Sequence, residues 1–137
     1  MKIEKYSIDK DIRLVCVQAT SFPPGVQAAF QKLHALVPDG STRRNFGISR
    51  PEGGGGIVYK AAVEEKYDGE AKELSAEGFT VKKGEYNSIL INDFMNDIQS
   101  IGRAFTELLA QPGIDPQGYC LEWYQQGKDV LCLVPLK

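Results

Sequence analysis

The alternation of apolar and polar residues divides the chain into two halves with the same predicted order of elements. In the first half, residues 12–18 form a β-branched run that is typical of a buried strand. Two further strand-like runs, at residues 45–49 and 57–64, flank a Gly-rich loop at residues 50–56. A helix that ends at Pro38-Asp39-Gly40 is predicted between the first and second runs. Its apolar residues recur at helical spacing: Val26, Ala29, Phe30, Leu33 and Leu36.

The second half repeats this β-α-β-β order. Residues 79–81 and 85–91 are predicted to be extended, and a helix follows that ends at Pro112-Gly113. Two more strands, at residues 119–124 and 130–136, are predicted to form a hairpin around Gly127. The second helix is predicted from apolar residues at helical spacing: Phe94, Ile98, Ile101, Phe105, Leu108 and Leu109. The polar stretch that joins the halves, residues 67–77, favours an irregular or weakly helical connection.

A short sequence match supports the idea that the two halves are copies. The segment AFQKL at residues 29–33 aligns with AFTEL at residues 104–108, an offset of 104 minus 29, or 75 positions. The agreement of this match with the repeated element order favours an internal duplication. We therefore predict one α+β domain over residues 1–137, with repeat one at about 11–66 and repeat two at about 79–136.

A pair of β-α-β-β units can place two helices on one face of a mainly antiparallel sheet, related by a pseudo-twofold axis. The opposite face would then be partly open. We expect a ligand groove at the junction of the repeats, since clefts between repeated units often hold small ligands.

Composition and charge narrow the possible partners. The 137 residues include 42% hydrophobic and 25% charged residues, which is typical of a single globular domain. The formal net charge is −2 and the basic residues are scattered, so direct DNA binding is not expected. The N-terminal residues lack the apolar segment of a signal peptide, and no stretch has the apolar length of a membrane span. We therefore expect a cytoplasmic protein.

Histidine and cysteine are too sparse to predict a metal site or a cofactor. His34 is the only histidine, and Cys16, Cys120 and Cys132 form no C-x-x-C pair. We expect the three cysteines to be buried apolar side chains, and His34, inside its predicted helix, to be a surface or boundary residue rather than a base. The four glycines at 53–56 lack the Lys-Ser/Thr and following helix of a phosphate-binding loop.

One carboxylate, that of Glu122, lies among apolar residues in the sequence. Glu122 is placed between Leu121 and Trp123 in the C-terminal hairpin, and strand alternation puts it on the same face as Cys120 and Tyr124. Burying an ionised carboxylate costs several kcal/mol without a partner. The hairpin alone allows three environments for Glu122: a ligand pocket, an ion pair with a Lys or Arg, or solvent on the uncovered sheet face.

These features together resemble the GyrI-like (gyrase-inhibitor-like) effector-binding domains, which also form the ligand-binding domains of some AraC- and MerR-type transcription regulators. The resemblance spans nearly the whole chain. It depends on the doubled β-α-β-β order and on four short segments: Gly47 to Arg50 followed by Ile57-Val58-Tyr59, Gly84-Glu85-Tyr86, residues 120–124, and Val134-Pro135-Leu136.

The resemblance implies a groove lined by aromatic residues with a glutamate on the penultimate strand, which corresponds to Glu122. Such a groove favours hydrophobic cations and multidrug binding, because aromatic rings and a carboxylate both attract positive charge. The expected ligand-binding residues are Glu122, Tyr124, Trp123, Tyr59, Phe46 and Tyr86, although Phe46, Tyr59 and Tyr86 could equally belong to the core.

The resemblance leaves the function open between three classes. The first is a stand-alone sensor, regulator or sequestering protein that binds a small molecule without a cofactor. The second is a small-molecule hydrolase in which Glu122 activates water, and the third is a protein-interaction module. AraC- and MerR-type regulators carry a DNA-binding segment before this domain, whereas the first predicted strand here begins at Ile12. We therefore expect an influence on transcription only through another chain or through the ligand concentration.

Overall fold

The computed structural model describes residues 1–51, 56–125 and 127–137. Most of the predicted Gly-rich loop (residues 52–55) and one residue of the C-terminal hairpin loop (126) lie outside these described residues. Within them, eight strands form one sheet: β1 Glu4–Ile8, β2 Ile12–Gln18, β3 Asn45–Pro51, β4 Ile57–Glu64, β5 Glu77–Val81, β6 Gly84–Ile91, β7 Cys120–Tyr124 and β8 Val130–Pro135. The helices are α1 Val26–Leu36, α2 Glu70–Glu73 and α3 Gln99–Leu109, with short 3₁₀ turns at Gly40–Thr42 and Phe94–Asn96.

The strand order is symmetric about the centre of the sheet. It runs β1-β6-β8-β7-β3-β4-β2-β5, and every neighbouring pair is antiparallel. Counting outward from the central β7–β3 pair, the counterpart of β8 is β4, that of β6 is β2, and that of β1 is β5. The predicted α+β class, with two β-α-β-β units and a mainly antiparallel sheet, is confirmed. The duplication of an ancestral unit stays a prediction.

The first strand, β1, was not predicted from the sequence. Its residues are mostly polar and exposed, and only Ile8 is buried. It pairs with β6, with Tyr6 opposite Tyr86, and so lies at the edge of the half of the sheet built from the second repeat. A short edge strand with charged residues carries little of the alternating apolar signal by which buried strands are predicted.

Both long helices lie on the same face of the sheet. Helix α1 packs its buried Ala29 and Leu33 against β2 and β4, and α3 packs Ala104 and Leu108 against β6 and β8. In each helix the Ala and the Leu are four residues apart, as a stripe on one helical face requires. Each of these helices has 11 residues, and no helix in the described ranges has the length and apolar character that a membrane span requires.

The opposite face of the sheet is filled rather than open. The sheet curls into a half-barrel, and side chains on its concave face pack on one another. Among them are Phe46, Ile48, Tyr86, Leu121 and Leu133, all at most 2% exposed. On the helix-bearing face, a groove between α1 and α3 offers space for a ligand.

Candidate functional site

Glu122 lies in the middle of the sheet on the face that carries the helices. It belongs to β7, where its neighbours across the strands are Gly47 of β3 and Cys132 of β8. Cys120 and Tyr124 share its face, as strand alternation predicts, and pack with the α3 cluster. The side chain is only 7% exposed, which excludes the solvent-facing position.

Two tyrosine hydroxyls hold the carboxyl group of Glu122. Tyr59 of β4 donates a hydrogen bond to Oε1 with an oxygen separation of 2.9 Å, and the Tyr124 hydroxyl donates to the same oxygen. The two hydroxyl oxygens are 3.2 Å apart. Glu122, Tyr59 and Tyr124 therefore form one buried polar cluster, in which Oε2 receives no hydrogen bond from the described residues.

Gly47 makes room for this cluster. A Cβ atom at position 47 would lie 2.0 Å from the Tyr59 hydroxyl and 2.6 Å from Glu122 Oε1. These separations are far below van der Waals contact, so any side chain on Gly47 would displace the cluster.

The cluster contains no compensating positive charge. Among the described residues, no Lys or Arg forms an ion pair with Glu122, which argues against the structural ion pair left open by the sequence. Burial raises the pKa of the Glu122 carboxyl, and the hydrogen bonds from Tyr124 and Tyr59 partly oppose this effect. Burial and the neighbouring Glu122 also raise the pKa of Tyr59 and of Tyr124, so both hydroxyls stay protonated as donors.

An apolar groove opens above the cluster. Its volume is about 660 Å³ and it runs between the start of α1 and the length of α3, within the size range of small-molecule sites. Phe22 stacks on Tyr59 with ring centroids 5.4 Å apart. The apolar walls include Phe22, Val26, Ile57, Ile101, Phe105 and Leu109.

Several large apolar side chains in this groove are exposed to water. Phe22, Ile57, Ile98 and Leu109 are 38%, 47%, 57% and 53% exposed, respectively. Contiguous exposed apolar surface next to a buried charge is typical of a binding site.

The structure brings three of the six predicted site residues together and places the other three elsewhere. Glu122, Tyr124 and Tyr59 meet in the groove. Phe46 and Trp123 lie on the concave face, where their rings are 5.7 Å apart. Tyr86 is also there, and its hydroxyl donates to the carbonyl oxygen of Lys82 at 2.7 Å. The positions of Phe46 and Trp123 have a common cause: each lies one residue from a groove position, and adjacent strand residues point to opposite faces.

The sequence reasoning missed the groove residues contributed by the helices and by the segment before α1. Phe22 precedes the predicted helix, and Ile98 and Leu109 were assigned to the helix core. One available signal was the width of the apolar stripe on α3. Ile98, Ile101, Phe105, Leu108 and Leu109 together cover more of the helix than contact with the sheet requires.

The cysteines are buried or half-buried, and the described residues contain no evident metal site. Cys16 and Cys132 are buried and Cys120 is half-buried in the groove wall, in line with the predicted apolar role. Burial raises the pKa of Cys120 to about 11, so its thiol is protonated near neutral pH and is a poor nucleophile. Within the described residues, no group of three or more His, Cys, Asp and Glu side chains could hold a metal ion.

Comparison with known proteins identifies the fold. No protein-family model and no curated protein matches the sequence. The structure is similar to SAV2435 bound to tetraphenylphosphonium, with 14% sequence identity, a TM-score of 0.67, and coverage of 100% of this chain and 94% of that chain. The chain therefore has the fold of that protein, in line with the predicted resemblance to GyrI-like domains. At this level of identity the likeness shows the fold alone.

Two further solved structures have the same fold. One is a proposed bacterial transcription regulation protein from Staphylococcus aureus MU50, with 14% identity, a TM-score of 0.61, and coverage of 100% of this chain and 99% of that chain. The other is a hydrolase from Listeria innocua, with 11% identity, a TM-score of 0.64, and coverage of 99% and 92%. The fold therefore occurs in proteins described as binders, regulators and enzymes, and function has to be argued from the site.

Proposed function

We propose that this chain binds a small, hydrophobic, cationic molecule in the groove between α1 and α3 without altering it chemically. The observation that carries the proposal is the position of Glu122. Its carboxyl group is buried at the base of an apolar groove, and no Lys or Arg of the described residues forms an ion pair with it.

The electrostatics of this arrangement favour a cation. An ionised carboxylate without a counter-charge is costly in an apolar site, and a bound cation removes that cost. Tyr59 and Tyr124 donate to Oε1 of Glu122, which leaves Oε2 for the ligand. The rings of Tyr59 and Tyr124 line the groove, and each well-placed ring adds about 0.5–2 kcal/mol of cation–π attraction.

The similar structure of SAV2435 supports this choice of ligand class, because that protein was solved with the lipophilic cation tetraphenylphosphonium. Binding without reaction suits a sensor that reports a ligand to another protein, or a protein that sequesters the ligand.

The test uses tetraphenylphosphonium and the uncharged triphenylphosphine oxide, with isothermal titration calorimetry on the wild type and on Glu122→Gln. The amide keeps the shape of the side chain and removes its charge. We expect the affinity for the cation to fall by about 1–3 kcal/mol, or about five-fold to more than a hundred-fold, and the affinity for the neutral compound to change far less.

The control is Glu107→Gln, which removes the same charge from α3 at a position that does not line the groove. It should leave both affinities unchanged. Equal losses for both probes in Glu122→Gln, together with a lower melting temperature, would make Glu122 a structural residue and refute the proposal.

A second candidate, hydrolysis of a small molecule, is favoured by the hydrogen-bonded carboxyl group of Glu122. Its raised pKa and its position facing the groove suit a general acid or base, and the hydrolase from Listeria innocua has this fold. Incubation with reactive esters and epoxides, followed by mass spectrometry, separates the two functions. Product formation by the wild type that Glu122→Gln abolishes would establish the hydrolase.

A further inference from the structure

A second cavity lies on the other side of Tyr124 from the groove. Its volume is about 420 Å³, and it is an open depression bordered by α1 and by the ends of β3 and β7. Val26 and Tyr124 line both cavities, so these two side chains form the wall between them. We call this second cavity the α1 compartment. The other residues that line it are Phe30, His34, Ser41, Arg43, Asn45 and Gln125.

The α1 compartment carries polar side chains among apolar ones, and the polar side chains are held in place. His34 Nε2 and Asn45 Oδ1 are 3.0 Å apart. The Asn45 amide also donates to the carbonyl oxygens of Gly40 and Arg43, at 3.0 and 2.8 Å. These contacts orient a ring and an amide at the cavity wall.

The positive charge of Arg43 is already balanced. Its guanidinium binds both carboxylate oxygens of Glu70, at 2.6 and 3.0 Å, and Asp39 Oδ1 at 2.9 Å. With two carboxylates against one guanidinium, the α1 compartment has no excess positive charge with which to select an anion. Its chemistry suits an uncharged group that forms hydrogen bonds.

The two cavities differ in polarity at corresponding positions. With the 75-residue offset between the repeats, His34 corresponds to Leu109 (34 + 75) and Asn45 to Cys120 (45 + 75). Leu109 and Cys120 both line the groove. Beneath α3 the walls are therefore apolar, whereas beneath α1 the corresponding walls carry an imidazole and an amide.

We propose that the α1 compartment is a second binding site, which takes an uncharged hydrogen-bonding group at one end of an elongated lipophilic cation. The charged end of the same ligand lies at Glu122, and the chain between them passes Val26 and Tyr124. This inference rests on the proposed function, because it assumes that the groove binds a cation. It adds a selectivity for ligands that carry an amide or hydroxyl at a distance from the charge.

The test compares two probes by isothermal titration calorimetry. One is a triphenylphosphonium cation with a hexyl chain, and the other is the same cation with a primary amide at the end of the chain. We expect the wild type to bind the amide probe about three-fold to ten-fold more tightly, since one or two new hydrogen bonds are gained. If the amide gains no hydrogen bond in the α1 compartment, its desolvation would weaken binding instead.

Variants of α1 test whether the tighter binding of the amide probe depends on the α1 compartment. His34→Leu places at residue 34 the side chain found at position 109, and it should abolish or reverse the preference for the amide probe. His34→Gln keeps a hydrogen-bonding side chain and should retain part of the preference. Gln31→Leu makes a comparable change at an exposed position of α1 outside both cavities, and should behave as the wild type.

Each outcome decides between the hypotheses. If the hexyl probe fails to bind the wild type, the groove does not take lipophilic cations and both proposals fall. If both probes bind equally, or if the preference survives in His34→Leu, the cation site stands and the α1 compartment is refuted. An equal loss for both probes in His34→Leu, with a lower melting temperature, would show a purely structural role for His34 and would also refute it.

Discussion

Gly47 lies directly opposite Glu122 across the central β3–β7 pair, and the absence of a side chain at Gly47 is what allows the Glu122 carboxyl to bind Tyr59. Gly47→Ala should therefore disrupt the cluster and the groove floor together. We expect a loss of about 1–3 kcal/mol in the free energy of unfolding from overpacking, and weaker binding of tetraphenylphosphonium. Urea denaturation and calorimetry measure the two effects.

The control for this change is Gly78→Ala in the edge strand β5. A Cβ atom there would meet its nearest neighbour at 3.7 Å, which is ordinary contact. It should leave affinity unchanged and stability nearly so. If Gly47→Ala is as stable as the wild type and binds tetraphenylphosphonium equally well, the Glu122 cluster tolerates displacement.

The raised pKa of Glu122 predicts how stability depends on pH. Between the ordinary pKa of 4.5 and the higher folded-state value, the folded protein binds more protons than the unfolded chain. The contribution of Glu122 to the free energy of unfolding therefore falls as pH rises through this interval, by at most about 1.4 kcal/mol per pH unit. Glu122→Gln lacks this titration, so the stability of the wild type relative to the variant should fall as pH increases above 4.5.

Urea denaturation at a series of pH values measures this difference. The same comparison between the wild type and Glu107→Gln tests whether the slope belongs to Glu122 or to any glutamate on this face. If the difference in the free energy of unfolding between wild type and Glu122→Gln stays constant with pH, the pKa of Glu122 is not raised in the folded protein. The carboxyl is then ionised near neutral pH.

The hydroxyl of Tyr59 should influence the pH at which Glu122 becomes ionised. Its hydrogen bond lowers the pKa of Glu122 against the effect of burial. Tyr59→Phe removes this donor and should raise that pKa further, so the pH at which tetraphenylphosphonium binding reaches half of its maximum should move upward. Calorimetric titrations across the pH range of the folded protein measure the midpoint.

Tyr67→Phe is the matched control for Tyr59→Phe. Tyr67 is exposed and its hydroxyl donates to Glu73, and neither residue lines the groove. Its removal should leave the midpoint in place. If Tyr59→Phe also leaves the midpoint in place, the Tyr124 hydroxyl alone is sufficient to stabilise the carboxylate.

Phe22 should contribute to binding through burial of its apolar surface rather than through cation–π attraction. It stacks on Tyr59 at the mouth of the groove and is 38% exposed, so its removal costs the fold little. Phe22→Ala should weaken the binding of tetraphenylphosphonium and of triphenylphosphine oxide by similar amounts, about 1–2 kcal/mol each. Leu90→Ala, at a position that is 53% exposed and outside the groove, should affect neither. A loss confined to the cation would indicate that Phe22 acts chiefly through cation–π attraction.

The order of the main elements could be read from the sequence because it depends on local periodicity. Helical spacing identified α1 and α3, and alternation placed Glu122 and Tyr124 on one face of β7. The same alternation places Leu121 and Trp123 on the opposite face, which is where the structure has them, although Trp123 was also expected among the ligand-binding residues. These inferences compare residues of the same element, so they need no information about neighbouring strands.

The composition of the site could not be read in this way, because it depends on how strands and helices meet. Phe46 and Gly47 are adjacent in β3, and only the pairing of Gly47 with Glu122 shows that Gly47 faces the groove and Phe46 the concave core. A shift of one residue in that register would exchange them. The tertiary structure likewise decided that Tyr59 binds Glu122, since 63 positions separate them in the chain. It also decided that the curled sheet buries its concave face and leaves ligand space between the helices, because curvature depends on how all eight strands pack together.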